Sequence, residues 1–210
     1  MQTAKQFSII GGGGFGLEVA GYISDIHQGT SIILNLWDDL GPSQTEHPGL
    51  TYQGSISDIA LQKDETALVC IGDCDTRARI AILLRDKGIK LGKFIHPAAV
   101  VSSQASIAPG CIVLPFSCIS LSAKMGWNTV INSHVGVGHH AVLGEHCVIS
   151  PQSLIAGRAE IGDRVFMGSG AIVTPGKSVG HNSKISAGSV VYRNYADGAF
   201  LSGNPSKNYS

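Results

Sequence analysis

Every sixth residue from Val101 to Val191 is aliphatic or methionine, and no other feature constrains the fold of this chain as much. The run passes without a slip through Val113, Met125, Val137, Ile149, Ile161, Val173 and Ile185. Four residues after most of these positions stands a small or short residue, such as Ala105, Cys111, Ser117, Ala141, Cys147 or Ala171. Glycine often follows the aliphatic position, as in Val137-Gly138, Leu143-Gly144 and Met167-Gly168. A helix needs a period of 3.6 and a simple strand a period of 2, so neither yields strict sixes. Hexapeptide periodicity is the mark of a parallel β-helix. Three six-residue faces make one triangular coil, so residues about eighteen apart stack. The aliphatic residues then fill the prism, and the small ones let the chain turn the corners.

The remainder of the composition agrees. Hydrophobic residues make up 43% of the 210, enough for a packed core, and charged residues only 14%. Few charges and 27 glycines suit coils stacked backbone on backbone. The formal net charge is zero, so no basic field attracts nucleic acid or an anionic membrane. No apolar run is long enough to span a bilayer, and the start lacks a signal-peptide hydrophobic region. Cys70, Cys74, Cys111, Cys118 and Cys147 form no CxxC pair and are odd in number. A reducing cytoplasm is the expected setting.

Ahead of the solenoid, residues 1–95 read as an α/β domain and residues 96–210 as the β-helix with a tail. Strands are predicted at Phe7–Ile10, Ser31–Trp37 and Ala67–Ile71, helices from Leu17 and over Thr76–Asp86, and a short helix over Ser55–Leu61. A linking strand, Leu91–Ile95, leads to the first coil. The tail from Asn194 breaks the sixfold pattern and is expected to leave the prism. Between the first strand and helix lie Gly11-Gly12-Gly13-Gly14-Phe15-Gly16. Such a loop allows a tight turn and brings backbone N–H groups close to an anion at the helix N-terminus. The acidic pair Asp38-Asp39 ends the next strand, as a nucleotide site requires. With about three strands available, one mononucleotide fits better than a dinucleotide.

These residues together resemble the bacterial sugar acetyltransferases of the PglD/NeuD type. The resemblance is carried by Gly11-x-x-Gly14-x-Gly16, Trp37-Asp38-Asp39 and Ile71-Gly72-Asp73-Cys74-Asp75-Thr76-Arg77. In the second half it rests on Phe94-Ile95-His96-Pro97, on Val130-Ile131-Asn132-Ser133, on Val137-Gly138-His139-His140 and on Gly203-Asn204-Pro205-Ser206-Lys207. It implies a Rossmann-like nucleotide-sugar-binding domain and a left-handed β-helix that forms homotrimers with active sites at subunit interfaces. It also implies transfer of an acetyl group from acetyl-CoA to a nucleotide-linked amino sugar, a 4-amino sugar of bacterial surface glycan biosynthesis. O-acetylation of a sialic acid and a non-catalytic nucleotide-sugar scaffold stand as alternatives.

His139 matches the family's catalytic histidine, and a neutral imidazole can take a proton near pH 7. Gly157 lies one coil beyond it by stacking arithmetic, has no side chain to block its N–H, and matches the family glycine facing the thioester carbonyl. Asn132 matches a substrate-side asparagine. The resemblance places acetyl-CoA against the backbone of Ser169, Gly170, Ala187 and Gly188, near Pro205 and Lys207. Nucleotide-sugar contacts are expected from the glycine loop with Phe15, from Asp38 and Asp39, and from Gly72, Asp73 and Arg77.

The chain departs from the family in three places. The residue after the catalytic histidine is usually Glu or Asp and here is His140. A second family histidine corresponds to Val148, with His146 nearby as its substitute on the cofactor side. Phe15 and Leu17 stand where the family often has His and Lys, which shifts diphosphate binding to backbone N–H groups and Arg77. The histidines also raise a metal reading. His134, His140 and His146, however, share one slot on successive faces and point a third of a turn apart, with no Asp/Glu set beside them. No metal is expected.

Overall fold

The structure is a computed structural model describing residues 5–41, 49–62 and 65–210. The chain forms two compact units, Met1–Gly72 with Arg79–Lys93, and Asp73–Ala78 with Phe94–Ser210.

The first unit is built on strands β1 (Lys5–Ile10), β2 (Ile32–Trp37), β3 (Leu50–Gly54) and β4 (Thr66–Val69), all parallel in the order β3-β2-β1-β4. Helix α1 (Gly14–Ile26) buries Val19, Ala20 and Ile23, whose spacing puts them on one helical face. Helix α2 (Cys74–Asp86) starts where the Asp73 carboxylate accepts the Thr76 N–H at 2.9 Å, an N-cap that also holds the Asp73 carboxyl below its usual range. Its last turns bury Ile80, Ala81 and Leu84.

The sequence reading missed β3. Leu-Thr-Tyr-Gln-Gly has no apolar run, only Leu50 is buried, and the strand lies at the sheet edge where little hydrophobic signal is needed. The polar stretch before it includes residues 42–48, which lie outside the described residues. The helix expected over Ser55–Leu61 is a single 3₁₀ turn, Ile56–Asp58. The linking strand is divided. Leu91 bridges Ala67 of β4, while Phe94–Ile95 pairs with Ile112–Val113 in the solenoid.

The second unit is a left-handed parallel β-helix whose coils contribute two-residue strands to three sheets of five, eight and six strands. Partners are eighteen residues apart, as in Lys124↔Val142, Val130↔Val148 and Gly136↔Leu154. The sixfold residues from Val113 to Val191 form one buried cluster with Cys111, Ala123, Ala141, Cys147 and Ala159. At roughly 1.5–3 kcal/mol for each fully buried aliphatic side chain, this column dominates the stability of the unit. Gly126, Gly138 and Gly168 follow their aliphatic neighbours because a Cβ there would stand 2.5–2.6 Å from backbone atoms of the next coil.

A second sixfold pattern was not evident in the sequence. Phe116, Ser122, Asn128, His134, His140, His146, Gln152, Arg158, Arg164 and Asn182 all have φ between +53° and +62°. Each turns a corner in the left-handed region that usually selects glycine. The tail also differs from expectation, because it stays on the prism. Phe200–Ser202 pairs in parallel with Lys184–Ile185, and Ala199 and Leu201 are buried in the core. Lys184 is opposite Phe200, sixteen residues on, so the sixfold phase is lost because this coil is two residues short. Lys207–Asn208 then runs back antiparallel against Leu201–Ser202.

Candidate active site

Backbone amides at one corner of the prism are taken up by side chains of the next coil, and a neighbouring corner lacks such acceptors. Along the column of Glu145, Asp163, His181 and Asp197, the first three N–H groups are each taken by the side chain of the next coil. Glu145 N–H donates to Asp163 Oδ1 at 2.8 Å, Asp163 N–H to His181 Nδ1 at 2.9 Å, and His181 N–H to Asp197 Oδ1 at 2.8 Å. The corresponding column at the preceding corner reads His139, Gly157, Pro175. Gly157 and Pro175 offer no side-chain acceptor, and among the described residues the Gly157 N–H has none. The imidazole of His139, exposed to solvent, lies against the Gly157 methylene. A Cβ there would stand 2.6 Å from Nε2 and 2.8 Å from Cε1. A base nitrogen and a free N–H donor thus share one corner, the pairing that acyl transfer requires. The sequence already contained this signal in the column His-Gly-Pro, although Pro175 was not recognised as part of it.

His140 stands beside His139 with Nδ1···Nδ1 at 3.2 Å and the rings edge to face. Asn132, Ser169 and Ala187 fall at a different corner, together with Gly170 and Gly188. The sheet of Gly136–Val137, Leu154–Ile155 and Ile172–Val173 runs between the two corners, so within one protomer they lie at its opposite edges. Asn132 Oδ1 accepts the Ser133 N–H at 2.8 Å. Gly170 and Gly188 sit in the left-handed slot and donate to the carbonyls of Pro151 and Ser169, which leaves their amides engaged. The Asn204–Pro205 peptide is cis, and Lys207 is exposed on the closing hairpin.

In the first unit, the glycine loop, the Asp38-Asp39 turn and Gly72 all follow the carboxyl ends of β1, β2 and β4, where open α/β sheets bind ligands. The glycines divide by role. Gly11 has φ +103°, and a Cβ on Gly16 would overlap the Gly11 carbonyl oxygen, so both are required by the turn. Gly13 and Gly14 are exposed with no atom within 4 Å of a Cβ position, and Gly13 caps α1 without a side-chain bond. Gly13 was not among the residues selected from sequence. Phe15 is half-buried.

Three site expectations are corrected. Asp38 is 8% exposed and braces the loop, with Oδ2 accepting the Gly12 N–H at 2.5 Å and Oδ1 the Leu40 N–H at 2.7 Å, so neither oxygen is open to a ligand. Asp39 remains exposed, with Oδ1 accepting the Ile56 N–H at 2.8 Å. Arg77 is fully buried, and its guanidinium donates to the carbonyls of Asn128 at 2.6 Å and Gly110 at 3.4 Å, which commits it to the solenoid and not to a diphosphate. His146 is 5% exposed, with Nδ1 3.0 Å from Asn128 Nδ2 and its ring edge to face with Trp127, so it is a core residue and not a cofactor contact.

Burial pushes the thiol of Cys147 up to about 12 and that of Cys74 up to about 11, so both are protonated near neutrality. Among the described residues no group of three or more His, Cys, Asp or Glu side chains is arranged to hold a metal ion. No helix of the described residues is long and apolar enough to cross a membrane.

A hexapeptide β-helix with a histidine over an unpaired glycine amide, preceded by a parallel-sheet unit with a glycine loop, defines a transferase of the acyl-group class. Comparisons with known proteins agree. Residues 140–175 match the bacterial transferase hexapeptide, residues 158–193 the hexapeptide repeat of succinyl-transferase, and residues 6–84 the PglD N-terminal domain. No curated protein gives a match. Among solved structures, a variant of perosamine N-acetyltransferase from Caulobacter crescentus, in complex with CoA and GDP-perosamine, is 29% identical with a TM-score of 0.89, over 99% of this chain and 98% of that one. The acetyltransferase domain of PglB from Neisseria gonorrhoeae, in complex with acetyl coenzyme A, is 26% identical with a TM-score of 0.89, over 98% of this chain and 100% of that one. WeeI from Acinetobacter baumannii, 21% identical with a TM-score of 0.87, shares the fold over 98% of this chain and 100% of its own. The chain thus joins a PglD N-terminal domain to hexapeptide transferase repeats and is similar over nearly its whole length to sugar acetyltransferases of the PglD/NeuD type.

Proposed function

We propose that this enzyme transfers the acetyl group of acetyl-CoA to the amine of a nucleotide-linked 4-amino sugar, for bacterial surface glycan biosynthesis. The observation that carries the reading is the His139 imidazole set against Gly157, whose N–H is unpaired among the described residues. His139 Nε2 takes the proton of the attacking amine as the N–C bond forms. The Gly157 N–H donates to the oxygen that gains charge at the thioester carbonyl. Return of the electron pair breaks the C–S bond, and the departing thiolate takes the proton back from His139. No cysteine nucleophile is involved, which fits the protonated, buried Cys147 and the buried Cys111.

The first unit holds the nucleotide in this reading. The open amides of Gly13 and Gly14 at the start of α1 receive the diphosphate, with Phe15, Gly72 and Asp39 as further residues of the same unit. The amides of Ser169 and Ala187, with Pro205 and Lys207, serve acetyl-CoA, and Asn132 serves the sugar. Those residues and His139 lie at opposite edges of one sheet, so one protomer does not complete a site. A homotrimer in which the corner of one protomer faces that of its neighbour would complete it. The outer face of that sheet supports such contact, because Val100 is 67% and Leu154 42% exposed there.

Thiol release from acetyl-CoA is to be measured with UDP-, GDP- and dTDP-linked 4-amino sugars and with free sialic acid. We expect turnover with one nucleotide sugar and a loss of several orders of magnitude in His139→Ala with acetyl-CoA still bound. Turnover unaffected by that substitution, or confined to sialic acid, would overturn the reading.

A further inference from the structure

A neutral imidazole accepts a proton at Nε2 only when its own proton is on Nδ1, so the partner of Nδ1 decides whether His139 can act. That partner is His140. The two Nδ1 atoms are 3.2 Å apart, with ring centroids 5.4 Å apart and planes at 83°. A single N–H occupies the space between them. If His139 donates, its Nε2 is bare on the side of Gly157, and His140 carries its own proton on Nε2. If His140 donates, His139 is protonated at Nε2 and cannot accept. Among the described residues no carboxylate pairs with either ring. The charged side chain on the adjoining coil is that of Arg158, in the slot of His140 one coil on.

The backbone fixes the positions from which both side chains project. His140 is held in the left-handed slot at φ +60°, with its N–H on the Leu121 carbonyl at 2.9 Å. The His139 carbonyl accepts the Arg158 N–H at 2.9 Å. We infer that His140 is the positioning residue of this enzyme, a neutral acceptor that keeps the His139 proton on Nδ1 and its Nε2 open. This inference rests on the reading of His139 as base. His140 takes the place of the acidic residue that the resemblance leads one to expect. When Nε2 takes up the amine proton, the Nδ1–H of the imidazolium still points at a nitrogen lone pair, so the new charge is stabilised by a hydrogen bond without an anion. The device requires a bare Nδ1 on His140, because a proton there would set two donors against each other.

The test is the ¹⁵N spectrum of histidine-labelled full-length protein without ligands at pH 8, together with steady-state kinetics. We expect His139 as the Nδ1–H tautomer. His140→Asn puts an amide oxygen where Nδ1 stood, and Asn tolerates the left-handed slot, as Asn128 and Asn182 show. This variant should keep the tautomer and recover most of the activity lost in His140→Ala. The alanine variant should move His139 toward Nε2–H and lower kcat on the order of 10- to 100-fold at unchanged KM for acetyl-CoA, the loss typical when a functional imidazole loses its orienting partner. Wild-type His139 as Nε2–H, or equal losses in both variants with the tautomer unmoved, would overturn the assignment. The spectrum is read without turnover, so it stands whether or not the acceptor sugar has been found.

Discussion

The Gly157 methylene lies flat against the His139 imidazole, leaving no room for a β-carbon between the coil and Nε2. Gly157→Ala would therefore push the ring off its seat while leaving the solenoid core intact. We expect kcat to fall about 100-fold or more, the scale of loss from an ångström of misplacement, with the Tm little changed. Wild-type kinetics in the alanine variant would show that the ring does not work from this seat.

The glycine loop separates folding from binding. Gly16→Ala should destabilise the first unit by about 3 kcal/mol, because its Cβ overlaps the Gly11 carbonyl. Gly14→Val meets open space and should leave stability nearly intact while nucleotide-sugar affinity drops at least tenfold. Calorimetric titration on both variants checks this, and undiminished affinity in Gly14→Val would remove the cradle.

Arg77→Met tests the reassignment of that arginine. Methionine fills much of the volume but leaves the buried carbonyls of Asn128 and Gly110 without their donor, a loss of about 3 kcal/mol in chemical unfolding. Nucleotide-sugar affinity should be unaffected. Reduced affinity with intact stability would return Arg77 to the ligand.

The raised Cys147 thiol makes a prediction at alkaline pH. Below the unfolded value of about 9 both states are protonated and the thiol is neutral to stability. Between about 9 and about 12 the unfolded chain ionises while the buried thiol does not, so stability falls as pH rises. Alanine already occupies the same slot at Ala141 and Ala159. Cys147→Ala should therefore flatten the decline in Tm between pH 9 and 10.5, and an unchanged slope would exclude this thiol as its source.

The legible parts of the fold were those that repeat. Sixteen aliphatic residues in phase determine the prism, because each must be inside and only a six-residue face puts them there. The His139–Gly157 stack followed from the same count. What stayed hidden depends on contacts without a period. β3 is an edge strand with one buried residue, and Asn194–Ser210 lost phase through a coil two residues short. Arg77 resembled a phosphate ligand because sequence alone does not show that its first helical turn belongs with the solenoid. Asp38 matched the expected acid at a strand end, but its oxygens are used on Gly12 and Leu40.

A stack of parallel coils has no natural end, since its last turn offers a row of unpaired backbone groups on which another chain could lay a further coil. Here that turn is two residues short, and Lys207–Asn208 lies antiparallel across Leu201–Ser202, placing a lysine on the final edge. An incoming coil would find the direction reversed, the register wrong and a charge in its path. The C-terminal hairpin thus closes the edge of the eight-stranded sheet, one of the three faces of the prism, against further coil addition.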